Sequence, residues 1–206
     1  MILIPQMFHR IWLGEKEMPE EFIYYGETWK KLHPSWTMKL WTEENIPKLI
    51  NQEAFDKAKL VAQKSDILRY EVLYNHGGGV FLCTDMECYR NIAPLLDNID
   101  CFSASEAKGF ISIGIMGCTP KHPIFKRLID NLPQSIEDNK EKFINEQTGP
   151  GYMTRTVSFD EIKVFPPELF YPVKFPIDVG PDKGADYPNA YANHHWSGSW
   201  LPEGWR

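Results

Sequence analysis

Residues 61–87, VAQKSDILRYEVLYNHGGGVFLCTDME, decide the fold. In order they give a helix, three glycines, and a strand that ends on acidic side chains. Leu68 and Val72 stand four apart, Tyr70 and Tyr74 repeat that spacing, and Ile67 completes the apolar flank, which predicts a helix packed on a sheet. Asp66 and Arg69 stand three apart and share a face of it. The pair reads either as an exposed ion pair worth about 0.3–0.5 kcal/mol or as two polar groups at the edge of a pocket. Gly77, Gly78 and Gly79 stop the helix, because glycine accepts positive φ without strain. The strand from Val80 to Leu82 then runs into Cys83, Thr84, Asp85, Met86 and Glu87. Alternation predicts Cys83, Asp85 and Glu87 on one side. A carboxylate at the carboxyl end of such a strand is a common place to hold a metal-bound phosphate.

The 206 residues are enough for one well-buried α/β domain. A chain 43% hydrophobic and 14% aromatic is not disordered. A net charge of −6 without a long basic run argues against a nucleic-acid partner. A nucleotide can still be held locally, through a metal and a few cations. Cys83, Cys88, Cys101 and Cys118 contain no Cys-x-x-Cys pair, which argues against a structural zinc site. Free thiols of a cytoplasmic protein are the default reading. No apolar run approaches the ~18 residues of a membrane span. The opening MILIPQMFHRIWLG lacks the charged n-region of a signal peptide. The expectation is a cytoplasmic chain, with peripheral attachment at the inner face of a membrane left open.

Outward from the central stretch, QMFHRIWL (6–13) reads as a strand closed by Gly14. Phe22, Tyr25, Trp29 and Leu32 set a helix over 19–32, ended by Pro34. Residues 36–41 alternate as a strand. Thr42 is expected to cap a helix, with Glu43 and Glu44 at its positive end. A helix over 53–75 is expected to break near Lys64–Ser65. Residues 101–107 and 110–118 read as strands, Pro123 starts a helix, and Pro133 is expected to stop it. TGPGYMTRTV (148–157) reads either as an ordinary turn or as a Gly-Pro-Gly helix start whose free N–H groups suit an anion or hydroxyl. Residues 162–171 give a strand and a turn, and 172–193 read as a loop crossing the site. The Lys-Ser/Thr of a phosphate loop and the G-x-S-x-G of a hydrolase are absent.

Four segments together resemble glycosyltransferase family 32, relatives of the catalytic domain of the large clostridial glucosylating toxins: IPQMFHRIWLG (4–14), SDILRYEVLYNHGG (65–78) with the strand and Cys83-Thr84-Asp85 that follow, TGPG (148–151), and NHHWSGSW (193–200). The resemblance implies an α/β, GT-A (Rossmann-like) single domain over 1–206, with a mixed, mostly parallel central sheet flanked by helices. Its donor-binding core would span about 1–118, and about 119–206 would supply the acceptor side and complete a metal site. The implied reaction is retaining transfer of a sugar from a nucleotide-diphosphate sugar, a UDP-sugar ahead of a GDP-sugar, with Mn²⁺ or Mg²⁺. The acceptor would be a glycan or lipid-linked hydroxyl in surface polysaccharide synthesis. By position, the resemblance puts Trp12 against the base, where stacking is worth about 1–3 kcal/mol; an ordinary core tryptophan is the other reading. It puts Asp66 and Arg69 on the donor sugar, and Cys83, Thr84, Gly149 and Trp200 along the rest of the donor. Asp85 would be the metal's carboxylate, with His195 completing the site and His194 second. Asp66, Arg69 and Asp85 would carry catalysis.

One position departs from the family, whose motif is Asp-x-Asp. Cys83 takes the first place, and a thiol is a poor ligand for Mg²⁺ or Mn²⁺ and a weak hydrogen-bond partner for ribose. Three readings stay open: an enzyme working through Asp85, a nucleotide-sugar-binding protein with little or no transfer activity, or a chain altered at this position.

Overall fold

A computed structural model describes residues 1–173 and 187–198. In chain order the elements are β1 (Met7–Ile11), α1 (Glu20–Leu32), β2 (Thr37–Trp41), α2 (Gln52–Lys57), α3 (Val61–Asn75), β3 (Gly79–Leu82), β4 (Met86–Cys88), β5 (Cys101–Ala107), β6 (Phe110–Cys118), α4 (Pro123–Asp138), α5 (Ile144–Gln147), α6 (Pro150–Thr156), β7 (Lys163–Phe165), α7 (Pro167–Phe170) and β8 (Ala192–His194). The main sheet has the order β2-β1-β3-β6-β5-β7. The pairs β1–β2, β1–β3 and β5–β7 are parallel, and β3–β6 and β5–β6 antiparallel. This is the mixed, mostly parallel sheet that the family resemblance implies.

Both faces of the sheet are covered, so its central strand is apolar throughout rather than alternating. Val80 and Leu82 point into a core with Phe8, Trp29, Phe102 and Phe170, and Phe81 into a second core with Leu68, Tyr70 and Leu128. Helix α3 lies within the second core, and every residue from Asp66 to Leu73 is buried. The glycine turn feeds β3 through a gap too narrow for side chains. A Cβ on Gly78 (φ +71°) would stand 2.5 Å from the Cys118 carbonyl, and one on Gly79 (φ +105°) 2.7 Å from that of Met7. The Gly78 carbonyl is tied to His9. Trp41 Nε1–H donates to His9 Nδ1 (3.0 Å), so His9 carries its proton on Nε2 and donates it to Gly78 O (2.8 Å). One buried imidazole thus joins β1, β2 and the turn before β3.

Four expectations need correction. Thr42 starts no helix. Residues 43–45 form a turn closed by Thr42 N–H on Asn45 Oδ1 (3.0 Å), and Glu43 accepts from Gly14 N–H (2.6 Å) instead of capping a helix. The break between α2 and α3 falls before Val61 rather than at Lys64–Ser65, where Ala58 turns extended (φ −64°, ψ 123°). Pro133 does not stop α4, which runs on to Asp138. Proline leaves the carbonyl four residues back without its helical donor; Asn51 Nδ2 supplies one to Ile129 O at 2.7 Å. The strand from Val80 does not reach Glu87. It ends at Leu82, Thr84 and Asp85 turn, and β4 leaves the main sheet to pair antiparallel with β8, Met86 opposite His194. Of the loop expected over 172–193, residues 174–186 lie outside the described residues.

Burial lowers the His9 pKa to about 4, against the help of its bond to Gly78. Its folded pKa lies below its unfolded value of 6.5. Between those two values the unfolded chain therefore binds more protons, and stability falls as pH falls. Full protonation costs up to about 3 kcal/mol at about 1.4 kcal/mol per pH unit. Urea unfolding should show stability lost between pH 6.5 and 4, with a shallower slope in His9→Gln.

Candidate functional site

A cleft of about 940 Å³ opens at the carboxyl ends of β1 and β3, where parallel strands deliver ligand-binding side chains. Trp12, Asp66, Arg69, Cys83, Thr84, Asp85 and His194 all line it. The structure thus brings residues from three distant segments to one surface. His195 and Gly149 do not line it, and Trp200 lies outside the described residues.

Asp66 and Arg69 do not form the exposed pair that was one reading of their spacing. Their side chains are only 9% and 8% exposed, and Asp66 Oδ1 stands 3.0 Å from Arg69 Nη2. The guanidinium is held on several sides. Nε–H reaches Ser65 O (3.3 Å), Nη1–H Ile113 O (3.0 Å) and, more weakly, Cys83 Sγ (3.7 Å), and Nη2–H Ser65 Oγ (3.2 Å). Its plane lies over Phe81. Asp66 Oδ2 accepts from Thr148 Oγ1–H (2.9 Å), which joins the TGPG segment to α3. Burial raises the Asp66 pKa against the pull of Arg69 and Thr148. Gly149 has a packing task here, since a Cβ on it would meet Asn145 Cα at 2.7 Å. Its N–H is spent on Ile144 O (3.2 Å), while Asn145 and Pro150 beside it face the cleft.

The turn after β3 is fixed from both sides. Arg10, buried beneath it, donates through Nη2 to Thr84 O (2.7 Å) and to Phe22 O (2.6 Å). From above, β8 carries its own chain onto Asp85. Asp85 O accepts from His195 N–H (2.9 Å), Asp85 Oδ2 from Ser197 N–H (2.9 Å), and Asp85 Oδ1 lies 3.3 Å from His194 Nε2. Successive side chains of an extended chain point opposite ways, so His194 at the end of β8 and His195 just past it diverge. His194 faces Asp85; His195 reaches Glu87 Oε2 (3.0 Å) and stacks on Tyr25 at 4.4 Å. Glu87 therefore stands with His195, away from the Cys83–Asp85 pair that alternation had it join.

Cys83 Sγ, an Asp85 carboxylate oxygen and a His194 ring nitrogen all lie within 4.8 Å of one another. Burial lowers the His194 pKa although Asp85 opposes it, which leaves the neutral imidazole a metal needs. Burial also works to raise Asp85, but the attraction of His194 in its protonated form and the Ser197 N–H outweigh it and hold the carboxyl below its usual range. Burial pushes the Cys83 thiol up to about 12. His194 Nδ1 is buried without a hydrogen-bond partner among the described residues. Carboxylate and imidazole fit a divalent transition-metal ion, and the thiol makes the set softer than the oxygen shell that Mg²⁺ prefers.

Sequence reasoning missed Glu106, Ser112, Trp196 and Ser197 on the cleft wall. Burial raises the Glu106 pKa, partly countered by Ser112, and Ser112 Oγ–H donates to Tyr171 OH (2.6 Å). Glu106 sits at the end of β5 beside a register shift with β6, which no local pattern announces. Trp12 stands at the cleft mouth, its indole N–H on Lys16 O (2.7 Å) and its ring edge-on to Phe22.

Residues 19–102 match the family model described as a glycosyltransferase sugar-binding region containing the DXD motif. Among curated proteins, an uncharacterized glycosyltransferase of Acanthamoeba polyphaga mimivirus is 26% identical over 97% of this chain and 85% of its own length. A mannosyl phosphorylinositol ceramide synthase of Saccharomyces cerevisiae is 30% identical over 63% of this chain, which spans only 35% of that protein. Among solved structures, the ligand-free glycosyltransferase domain of the YGT toxin has a TM-score of 0.64 at 10% identity, covering 84% of this chain and 82% of that one. The PaToxG glycosyltransferase gives 0.60 at 19% identity, covering 77% and 70%. The resemblance to the DXD glycosyltransferases stands, and the fold is GT-A. No helix among the described residues is long and apolar enough to cross a membrane.

Removing the carboxylate of Asp66 leaves the Arg69 guanidinium buried without its partner, which costs about 3–5 kcal/mol. Asp66→Ala should lose that much in denaturant unfolding, and Thr148→Val, which breaks only the hydroxyl contact, about 1 kcal/mol.

Proposed function

We propose, for a chain with the glycosyltransferase family's sugar-binding region and fold, that it transfers a hexose from a nucleotide-diphosphate sugar to a hydroxyl of a glycan or lipid-linked acceptor, with retention of configuration. The observation that carries this reading is the convergence, in one cleft, of Trp12 from β1, the Asp66–Arg69 pair from α3, Asp85 from the turn after β3, and His194 from β8. A stacking ring, a polar pair and a metal-competent cluster are the parts such a donor requires: base, sugar and diphosphate.

In this reading Trp12 stacks on the base. Asp66 accepts from the donor sugar's hydroxyls, and Arg69, already tied to Ser65 and Ile113, holds Asp66 in place. Asp85 and His194 would hold a divalent cation, which when bound neutralises charge developing on the departing diphosphate. Glu106, a carboxyl on the same cleft, orients the acceptor hydroxyl. No carboxylate is assigned as a covalent nucleophile; the acceptor attacks from the face the diphosphate leaves, and the leaving phosphate takes its proton. His195 acts through structure, bracing β4 against α1 by way of Glu87 and Tyr25.

Three curated relatives are named as inositol phosphoceramide mannosyltransferases, which favours a lipid-linked acceptor over a free glycan and a chain docked peripherally where that lipid is presented. A structural neighbour, the YGT toxin domain, has been solved with UDP bound, which supports a UDP-sugar among the donors to try. The second reading, a donor-binding protein without transfer, is favoured by Cys83 alone.

Screening UDP- and GDP-sugars with a divalent cation should give a donor-dependent rise in Tm. Trp12→Ala should cost about 1–3 kcal/mol of donor affinity. Asp85→Asn should lower transfer about 10²–10³-fold while the chain stays folded. Donor binding without transfer to any lipid or glycan acceptor would select the second reading, and no response to any donor would remove both.

A further inference from the structure

We propose that the cation site of this cleft is a thiolate site that selects Zn²⁺ over Mg²⁺ and Mn²⁺, with Cys83, Asp85 and His194 as its three protein ligands. The inference deepens the function proposed above, since it names the ion for the same cleft.

The first argument is placement. Cys88, Cys101 and Cys118 are buried in the cores, whereas Cys83 is only partly buried and lines the cleft. Cys83 is also the thiol that stands in a group with a carboxylate and an imidazole, all three donor atoms within 4.8 Å. The second argument is room. Gly114, on β6, borders the cluster without a side chain; a Cβ there would meet Tyr171 OH at 2.6 Å, with His194 Cδ2 at 3.3 Å and Cys83 Sγ at 3.5 Å. Tyr171 is the first to demand glycine here, and the glycine also leaves the flank of both ligands uncrowded. The third is the imidazole itself, buried and presenting Nε2 toward Asp85 while Nδ1 finds no partner among the described residues.

Zinc bond lengths of about 2.3 Å to sulfur and 2.0–2.2 Å to nitrogen or oxygen put tetrahedral ligands about 3.3–3.6 Å apart. Atoms within 4.8 Å of one another reach that spacing by small side-chain rotations. As the sulfur–metal bond forms, the thiol proton leaves to solvent. Three protein ligands leave the fourth position open, as catalytic zinc sites do, and a phosphate oxygen can take it. A hard ion forgoes the sulfur and keeps only Asp85 and His194, so softness of the donor set, more than its charge, sets the choice.

Metal-free chain should be titrated with Co²⁺, Zn²⁺, Mn²⁺ and Mg²⁺ in the absence of nucleotide. Co²⁺ should give a near-ultraviolet sulfur-to-cobalt charge-transfer band that Zn²⁺ displaces, that Cys83→Ser removes and that Cys88→Ser retains. Every nitrogen–oxygen site favours Zn²⁺ over Mn²⁺ to some degree, so the decisive number is the change in that preference: it should fall at least tenfold in Cys83→Asp. X-ray absorption at the zinc edge of the unaltered chain should show one sulfur neighbour, a readout independent of any variant's folding. Absence of that sulfur, a band surviving Cys83→Ser, or an unchanged preference in Cys83→Asp would overturn the assignment. A donor-dependent rise in Tm without the cobalt band would overturn this inference alone; the band without any donor response would overturn the proposed transfer and leave the metal site standing.

Discussion

The Arg69 guanidinium is the point on which the cleft depends. It touches Ser65 and Asp66 on its own helix, Ile113 on β6, Cys83 beyond β3 and the Phe81 ring beneath it. A charge this deeply buried is tolerable only when its donors are met. Its position is therefore determined by three elements at once, and it determines theirs in return. Asp66 carries the same constraint one step further, to Thr148 and so to the start of α6. What looks in sequence like two polar residues on a helix is, in the fold, the bracket that holds the helix, the sheet and the TGPG segment in register.

Much of this was legible because local rules and the fold agreed. The 3.6-residue spacing around Leu68 and Val72, the glycine run and the alternation of 36–41 each predict the element found. The failures have physical causes that local rules do not contain. Pro133 should end a helix, and would, had Asn51, far away in sequence, not supplied the donor its carbonyl neighbour lost. Thr42 with two glutamates is a helix start until Gly14 N–H, far away in sequence, draws Glu43 aside and the Asn45 side chain closes a tighter turn. Both outcomes turn on a tertiary partner overruling a local preference.

The cleft divides in the same way. Asp66, Arg69 and Asp85 could be picked out because they fall on the segments that resemble the family; from spacing alone the first two read as well as an exposed ion pair. The histidine facing Asp85 could not be picked from a His-His pair, because the choice rests on the register of β8 against β4, which pairs Met86 with His194, Glu87 with Asn193 and Cys88 with Ala192. Glu106 gave no signal at all, since a carboxylate near the end of a strand is ordinary until the opposite wall is known.

The pairing of β8 with β4 also sets an order in time. Asp85 belongs to the early part of the chain, and the seven other strands among the described residues precede β8 in sequence. As a ribosome delivers the chain from its amino end, the strands of the main sheet are made before His194. A half-finished molecule would hold the carboxylate and the thiol of the cluster without the imidazole, and its Asp85 would lack the Ser197 N–H as well. If the proposed metal site holds, cation capture would be coupled to the docking of β8, an order of assembly set by the topology rather than by any catalytic side chain.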